Sequence, residues 1–441
     1  MTDGASGPDF PTGRGEILLT GVMYRGRAVD LFIDGEGRIA GLGRDEGRRF
    51  QKEAVTRIDG TRLLLIPGLV NTHTHAAMTL LRGYADDMPL REWLEGKIWP
   101  LEAHLTGEDV YRGTKLACLE MIRTGTLAFN DMYFFMEEAA RAVRETGIRA
   151  TLSHGFIDLG DPGKREKEIR ATEDLVSAVK GLGEPRIRVA AGPHAVYTVS
   201  PEGFRWCAEF SREEGIGIHT HLAETEQEAR DCLHAYGRRP AAQLDACGCL
   251  TERTVAAHCC WLDREECSLL AARGASASHN PTSNMKLAVT RAKPYPWMTA
   301  AGVTVTLGTD GCASNNSLDL FGAMKDAALL QKFAWNTQTA LPAPEVLAMA
   351  TASGGRALGI PTGRIEVGAP ADLVLVNLAS PSMTPLFSGE SNLVYSASGA
   401  SVDTAICDGR ILMLHGEIPG EEEILARAAR SAAALVKRSG M

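Results

Sequence analysis

His73 and His75 stand two residues apart in NTHTH, where the apolar run LLLIPGLV ends. On an extended strand that spacing sends both side chains to one side, so two neutral imidazoles can share a divalent cation. A second pair, His219 and His221, lies in IGIHTHLAE, and only one of the two is needed as a ligand. His221 is nearer the C-terminal end and better placed for this, while His219 is expected deeper, as a hydrogen-bonded interior residue. Asp310 ends VTVTLGTD and adds a carboxylate. Three imidazoles and one carboxylate leave a divalent ion a position for water, whose pKa it lowers towards neutrality. Zinc is the first expectation, with iron(II) and manganese(II) as alternatives, because such N/O sites select among them largely by availability. The water's proton must still be relocated. Asp310 can accept it, and Glu224, three residues after His221, can shuttle it to a substrate. His258, ending TVAAHC, is placed to orient the attacking oxygen. Plainer readings stand beside these: Glu224 as a carboxylate at the start of the helix ETEQEAR, and His258 as a structural histidine.

These residues need elements that bring them together. Between about residue 62 and residue 360, eight apolar runs alternate with longer helical stretches, which is the pattern of βαβ units. The runs are LLLIPGLV, TLAFND, RATLSHG, RVAAGPH, IGIHTHLAE, TVAAHC, ASASHN and VTVTLGTD. Eight parallel strands with intervening helices predict a closed (β/α)8 TIM barrel, whose chemistry sits at the strand C-termini. The candidate residues fall there. A second metal would usually need a bridging ligand at the end of the fourth strand, which reads GPHAVY, so one metal per chain is expected. Short strands with glycine turns occupy residues 16 to 60 and return near the other end, in GRIEVGAPADLVLVNL and DTAICDGRILMLHGE. They predict a small β-sandwich domain built from both chain ends, residues 1–66 and 362–441, around a barrel of 67–361. A final helix is expected over roughly 420 to 438.

With 441 residues, 44% of them hydrophobic, the chain can bury a large core. The net charge of -9 is spread out with no Lys/Arg-rich run, which argues against a nucleic-acid partner. No apolar stretch is long enough to span a membrane, and the opening MTDGASGPDFPTGRG lacks the regions of a signal peptide. The ten cysteines show no zinc-knuckle or redox spacing, so reduced, buried thiols and a cytoplasmic protein are expected.

The segments PGLVNTHTHAAMTLLRGYADDMPLREWLEGKIWPLEAHL, TGTLAFNDMYFF, HLAETEQE, SHNPTSNMKLA and GVTVTLGTDGCASNNSLDLFGAMKDAALLQK carry a family likeness. The chain resembles the methylthioadenosine/S-adenosylhomocysteine deaminase family of the amidohydrolase superfamily, over almost the whole barrel and both β-rich ends. The resemblance implies zinc or iron held by His73, His75, His221 and Asp310, with Glu224 as proton shuttle and His258 assisting at the purine. It also implies two substrate contacts that spacing alone does not select. Glu102, in IWPLEAHL, would accept hydrogen bonds from the ribose hydroxyls, and His194, in GPHAVY, would contact base or ribose; Glu224 and Asp310 would also meet the substrate. The implied reaction is attack of activated water on C6 of adenine, protonation of the ring nitrogen by Glu224, and loss of ammonia. The expected partner is a small nucleoside, and the relatives imply a homo-oligomer, a homotetramer among the options.

The sequence departs from that family in two places. Members that accept S-adenosylhomocysteine tend to carry an arginine after the third strand, where this chain has His154 in SHGFID. A histidine lacks the fork that holds a carboxylate, and Arg165 or Lys164 would have to substitute. Compact 5'-groups are therefore expected to be preferred: methylthioadenosine, 5'-deoxyadenosine and adenosine. Trp261, in AHCCWL, replaces a polar neighbour. Two other readings compete: a guanine, cytosine or triazine aminohydrolase or chlorohydrolase, which would not need Glu102, and a non-catalytic barrel, which should have lost ligands that are all present here.

Overall fold

In the computed structural model, residues 13–50 and 55–440 are described; the first twelve residues, read above as lacking a leader, lie outside the described residues. Eight strands form the central sheet: β1 (Leu69–Thr74), β2 (Thr126–Tyr133), β3 (Arg149–Phe156), β4 (Ile187–Pro193), β5 (Gly217–Leu222), β6 (Thr254–His258), β7 (Ser276–His279) and β8 (Thr304–Leu307). They are hydrogen-bonded in chain order and every pairing is parallel. The seam between β8 and β1 is joined where the site lies. The backbone amides of Thr309 and Asp310 both donate to the carbonyl oxygen of His73, at 3.1 and 3.0 Å, and Thr72 and Thr306 share a hydroxyl hydrogen bond of 2.7 Å. This is the (β/α)8 barrel expected from the alternating pattern.

The run LLLIPGLV, read as one strand, is two. Leu63–Pro67 joins the other sheet, and β1 begins at Leu69. Gly68 makes the break: its amide donates to the Asp372 carbonyl at 2.9 Å, and a Cβ there would lie 2.7 Å from the Leu127 side chain. The chain therefore crosses between sheets at a point with no room for a side chain.

The second sheet takes strands from both ends of the chain. Its order is Arg410–Met413, Val402–Cys407, Leu373–Asn377, Leu63–Pro67, Ile17–Tyr24, Arg27–Ile33 and Ile39–Gly43, with Thr56–Asp59 pairing Ile17–Tyr24 in parallel. Strand alternation splits its side chains between two cores. Leu19, Leu31, Leu65, Leu373 and Ile406 enclose a small core of their own, while Leu64, Ile66, Val374 and Val376 face the barrel's. Residues from both halves of the sheet share the small core, so the sheet curls around it as a sandwich. The last helix, Glu421–Ser439, lies against the barrel helix Gly107–Arg123, held by ion pairs Arg123–Glu421 and Arg438–Asp109. All ten cysteines are buried and unpaired. Among the described residues, no helix is long and apolar enough to cross a membrane.

At the base of the barrel one buried cation ties the two sheets together. Arg149 donates to Asp372 through Nε at 2.8 Å and to Asp408 through Nη2 at 2.9 Å, and the Asp408 amide donates back to Asp372 at 2.8 Å. Arg14 also pairs with Asp408, so removing the Arg149 guanidinium leaves Asp372 as the buried carboxylate without a cation, which costs about 3–5 kcal/mol. Arg149→Met is expected to lower unfolding stability by that amount in urea titration, and a loss under about 1 kcal/mol would show that the network does not hold the sheets together.

Candidate active site

Six of the residues selected from the sequence meet at the C-terminal mouth of the barrel. His73 lies in β1 and His75 directly after it, and Nε2 of each is 3.3 Å from Oδ1 of Asp310, which follows β8. His221, in β5, brings its Nε2 to 3.3 Å from that of His75. These side chains are buried or nearly so, and the buried Nε2 of His73 has no hydrogen-bond partner.

The hydrogen bonds behind the imidazoles fix which nitrogen carries the proton. Nδ1 of His75 donates to the Met132 carbonyl at 2.6 Å, and Nδ1 of His221 donates to the His194 carbonyl at 2.9 Å. For His73 the chain is longer. Ser153 donates its hydroxyl to the Asp131 carbonyl at 2.9 Å, so towards Nδ1 of His219, 3.3 Å away, it acts as acceptor. His219 then has a bare Nε2, which accepts from Nδ1 of His73 at 2.8 Å. All three inward Nε2 atoms are therefore lone pairs, aimed with a carboxylate oxygen at one small volume. Burial pushes the His221 pKa down to about 4 and that of His73 well below its usual range, so the rings stay neutral. A cluster of acceptors without a proton between them is what a divalent cation satisfies, and these donors are the types it takes. His219 sits deep behind His73, and its ring is turned to that neighbour.

Asp310 is held in the left-handed region, at φ +65, a conformation retained only where surroundings impose it. Its Oδ2 accepts from Ser283 at 2.6 Å and from Ser314 at 3.1 Å. Burial alone would raise its pKa, but the closeness of the His73, His258 and His75 imidazoles holds it well below the usual carboxylate range. His258 is likewise left-handed, at φ +66. Its Nδ1 receives the amide of Asn284 at 2.8 Å, whose orientation follows from the Cys260 thiol donating to its oxygen at 3.4 Å. The ring proton of His258 is thus on Nε2, 3.9 Å from Oδ2 of Asp310. His258 is close enough to His73 and Asp310 to share a cation with them, yet that proton makes it a hydrogen-bond donor instead.

Glu224 lies just before the helix Glu226–Tyr236, whose N-cap is Thr225. The capping role is already filled, and Glu228 accepts from the amides of Ala223 and Glu224 at 2.7 and 2.8 Å. Glu224 is thereby free to face His258, with Oε1 3.7 Å from its Nδ1. Burial, with the charges of Asp310 and Glu228 added, raises its pKa well above the usual value.

Glu102 and His194 line the same recess, with Trp93, Trp99, Phe134 and Leu287 among its apolar walls. Glu102 follows a π-helical turn, Leu94–Ile98, a feature concentrated at functional sites. Its pKa is pushed up to about 7 by burial, against a hydrogen bond from Tyr133. His194 bonds Thr198 through Nδ1 at 2.8 Å. A larger cavity, of about 670 Å³, opens at the opposite end of the barrel beside Arg188, Arg253 and Arg356 and contains none of these groups. Size alone would have selected the wrong end.

Arg165 donates through Nε to Asp158 at 3.0 Å, and Asp158 also accepts from the Ser200 amide at 2.7 Å. His154 is engaged by Glu168 at 2.6 Å. Trp261 has a structural task, donating from Nε1 to the Val289 carbonyl at 2.9 Å with Arg291 over its ring, which ties down the loop after β7. The residues that spacing missed were Tyr133, Ser153, Ser283, Ser314, Asn284 and Glu228, each acting through a neighbour.

Comparison with known proteins agrees with this geometry. Residues 64–412 match the model of the Amidohydrolase family. The chain is 62% identical to a 5'-deoxyadenosine deaminase of Methanoregula boonei, over 96% of both chains. It is 48% identical to 5-methylthioadenosine/S-adenosylhomocysteine deaminase 1 of Archaeoglobus fulgidus, over 90% of this chain and 92% of that one. The crystal structure of an adenosine deaminase from Xanthomonas campestris with bound zinc superposes with a TM-score of 0.90 at 34% identity, over 97% of this chain and 100% of that one. With its barrel, its inward imidazoles and these relatives, the chain belongs to the amidohydrolase family, in the branch of the methylthioadenosine/S-adenosylhomocysteine deaminases.

Proposed function

We propose that this chain hydrolytically deaminates 5'-modified adenosines, replacing the 6-amino group of adenine with oxygen and releasing ammonia. The observation that carries this reading is a pair of features in one recess: the acceptor cage beside Glu224, and a second, half-buried carboxylate, Glu102, that a free base would not need. In this reading His73, His75, His221 and Asp310 hold one divalent cation per chain, zinc foremost, with iron(II) or manganese(II) able to compete. When bound, the cation supplies a water acidic enough to serve as nucleophile near neutral pH. Glu224, whose raised pKa makes its carboxylate a ready proton acceptor, takes one proton of the water and delivers it to the purine ring nitrogen, and the water's second proton leaves with the amino group as ammonia. His258 donates from Nε2 to the attacking oxygen and orients it towards C6. Asp310 contributes Oδ1 to the cage and Oδ2 as a transient proton acceptor, steadied by Ser283 and Ser314. Glu102 accepts from the ribose hydroxyls, and His194 contacts base or ribose.

The preference among 5'-groups follows from what lies beyond the ribose. His154 has no guanidinium fork and is paired with Glu168, and Arg165 already neutralises Asp158 through Nε, which weakens both as partners for an amino-acid carboxylate. Trp99, Phe134 and Leu94 line the recess instead, which suits a methyl or methylthio group. Parallel steady-state assays should give kcat/KM for 5'-deoxyadenosine, methylthioadenosine and adenosine about tenfold or more above that for S-adenosylhomocysteine, the cost of one missing charged contact. The reverse order would overturn the assignment of these residues. The domain limits 1–66 with 362–441 and 67–361, a cytoplasmic setting and a homo-oligomer complete the reading.

A further inference from the structure

The aromatic residue that ends β2 has a contact that the chemistry above does not use. Tyr133 is buried, and its hydroxyl donates to Oε1 of Glu102 at 2.6 Å. The two residues come from different elements: Tyr133 from a barrel strand, Glu102 from the short helix Trp99–Glu102 in the loop after β1. A glutamate has several side-chain torsions to fix, and a helical segment that opens on a π turn does little to fix them. The barrel strand is the rigid partner, and its hydroxyl is the part of the wall that holds the carboxylate in place.

We propose that Tyr133 is a positioning residue for ribose recognition: by occupying Oε1 of Glu102 it orients the carboxylate so that its remaining acceptor positions meet the 2'- and 3'-hydroxyls, which makes the site selective for ribonucleosides over 2'-deoxynucleosides. This rests on the deaminase reading above. A site built to hydrogen-bond a substrate hydroxyl rejects the analogue lacking it far more strongly than an apolar wall can, because its own buried polar group is then left unpaired. Glu102 lines the recess half-buried, and among the described residues only Tyr133 hydrogen-bonds its carboxylate, so the substrate's hydroxyls would complete what the protein leaves open. The Tyr133 bond also opposes the effect of burial, which disfavours the charged form that accepts from both hydroxyls. Loss of the phenol hydroxyl would therefore weaken what Glu102 does and leave the deamination chemistry untouched.

The test uses metal-loaded enzyme and two substrates, adenosine and 2'-deoxyadenosine, with wild type, Tyr133→Phe, Glu102→Gln and the double variant. Wild type is expected to favour adenosine by at least about tenfold in kcat/KM. Tyr133→Phe should raise KM for adenosine about tenfold while kcat stays within about threefold, and should lower kcat/KM for 2'-deoxyadenosine, which keeps only the 3'-hydroxyl, by a clearly smaller factor. Because the two residues act as a unit, the double variant should be no worse on adenosine than Glu102→Gln alone. Equal losses on both substrates, a loss confined to kcat, or additive effects in the double variant would each overturn the proposal. If Tyr133→Phe does not fold, Glu102→Asp, which withdraws the carboxylate from the phenol and leaves Tyr133 intact, must narrow the adenosine preference; an unchanged preference overturns it. Failure of the wild type to convert either nucleoside would instead sink the deaminase reading, which keeps the two failures apart.

Discussion

Exchanging Glu224 for glutamine is expected to give a folded protein that still binds metal but whose kcat is lower by about three orders of magnitude, within the range that a positioned acid-base group supplies. The site gives the proton no other route of equal quality. Asp310 has one oxygen in the cage and the other between Ser283 and Ser314. His258 already carries its proton on the nitrogen facing Asp310, with the amide of Asn284 on the other. Only Glu224 is buried, raised in pKa and without a fixed side-chain partner of its own. Glutamine preserves its size and polarity but cannot accept the water's proton. Metal content by elemental analysis, beside kcat, checks the result: a loss under about tenfold with metal retained would show that another group moves the proton.

Removal of the metal should abolish turnover, and readdition of zinc should restore it at one equivalent per chain. The argument is electrostatic. Three imidazole lone pairs and a carboxylate oxygen converge, with His73 and His75 each 3.3 Å from Asp310 and no proton between acceptors. The cage has little power to activate water by itself, since burial lowers the pKa of His73 and His221 and leaves them weak bases. The same crowding predicts that metal stabilises the fold by mass action, by about 4 kcal/mol at a free concentration a thousand times its Kd. Thermal unfolding of chelated and reloaded protein measures this. Full turnover by protein stripped of metal would contradict the assignment of the cage.

Much of this site is legible in the sequence because a barrel converts strand ends into a common rim. His73, His75, His221, Glu224, His258 and Asp310 are scattered over more than half the chain, yet each ends or follows an apolar run, and parallel strands must point those ends the same way. That His221 lies nearer the rim than His219 follows from the direction of the strand alone. What remained hidden depends on side chains that meet without any periodic signal. Glu102 lies in a loop helix after a π turn, where an exposed charge is the ordinary reading, and only resemblance selects it. His194 was found in the same way. Tyr133, Ser153 and Asn284 orient other residues through hydrogen bonds, and neither their type nor their spacing indicates that they do. The splitting of LLLIPGLV at Gly68 was concealed because both halves are apolar, and the distinction lies in which sheet each half joins. Arg165 shows the converse: a side chain of suitable chemistry near the right strand already pairs with Asp158.

The central claim is that water replaces the 6-amino group of an adenosine-type nucleoside in this metal cage. The most direct measurement incubates zinc-loaded protein with 5'-deoxyadenosine in water enriched in heavy oxygen and follows product mass and ammonia together. The account predicts stoichiometric ammonia and an inosine-type product with the heavy oxygen on the purine ring, neither of which forms with Glu224→Gln. Intact 5'-deoxyadenosine after prolonged incubation with protein holding one metal per chain, or cleavage to free adenine without ammonia, would contradict it.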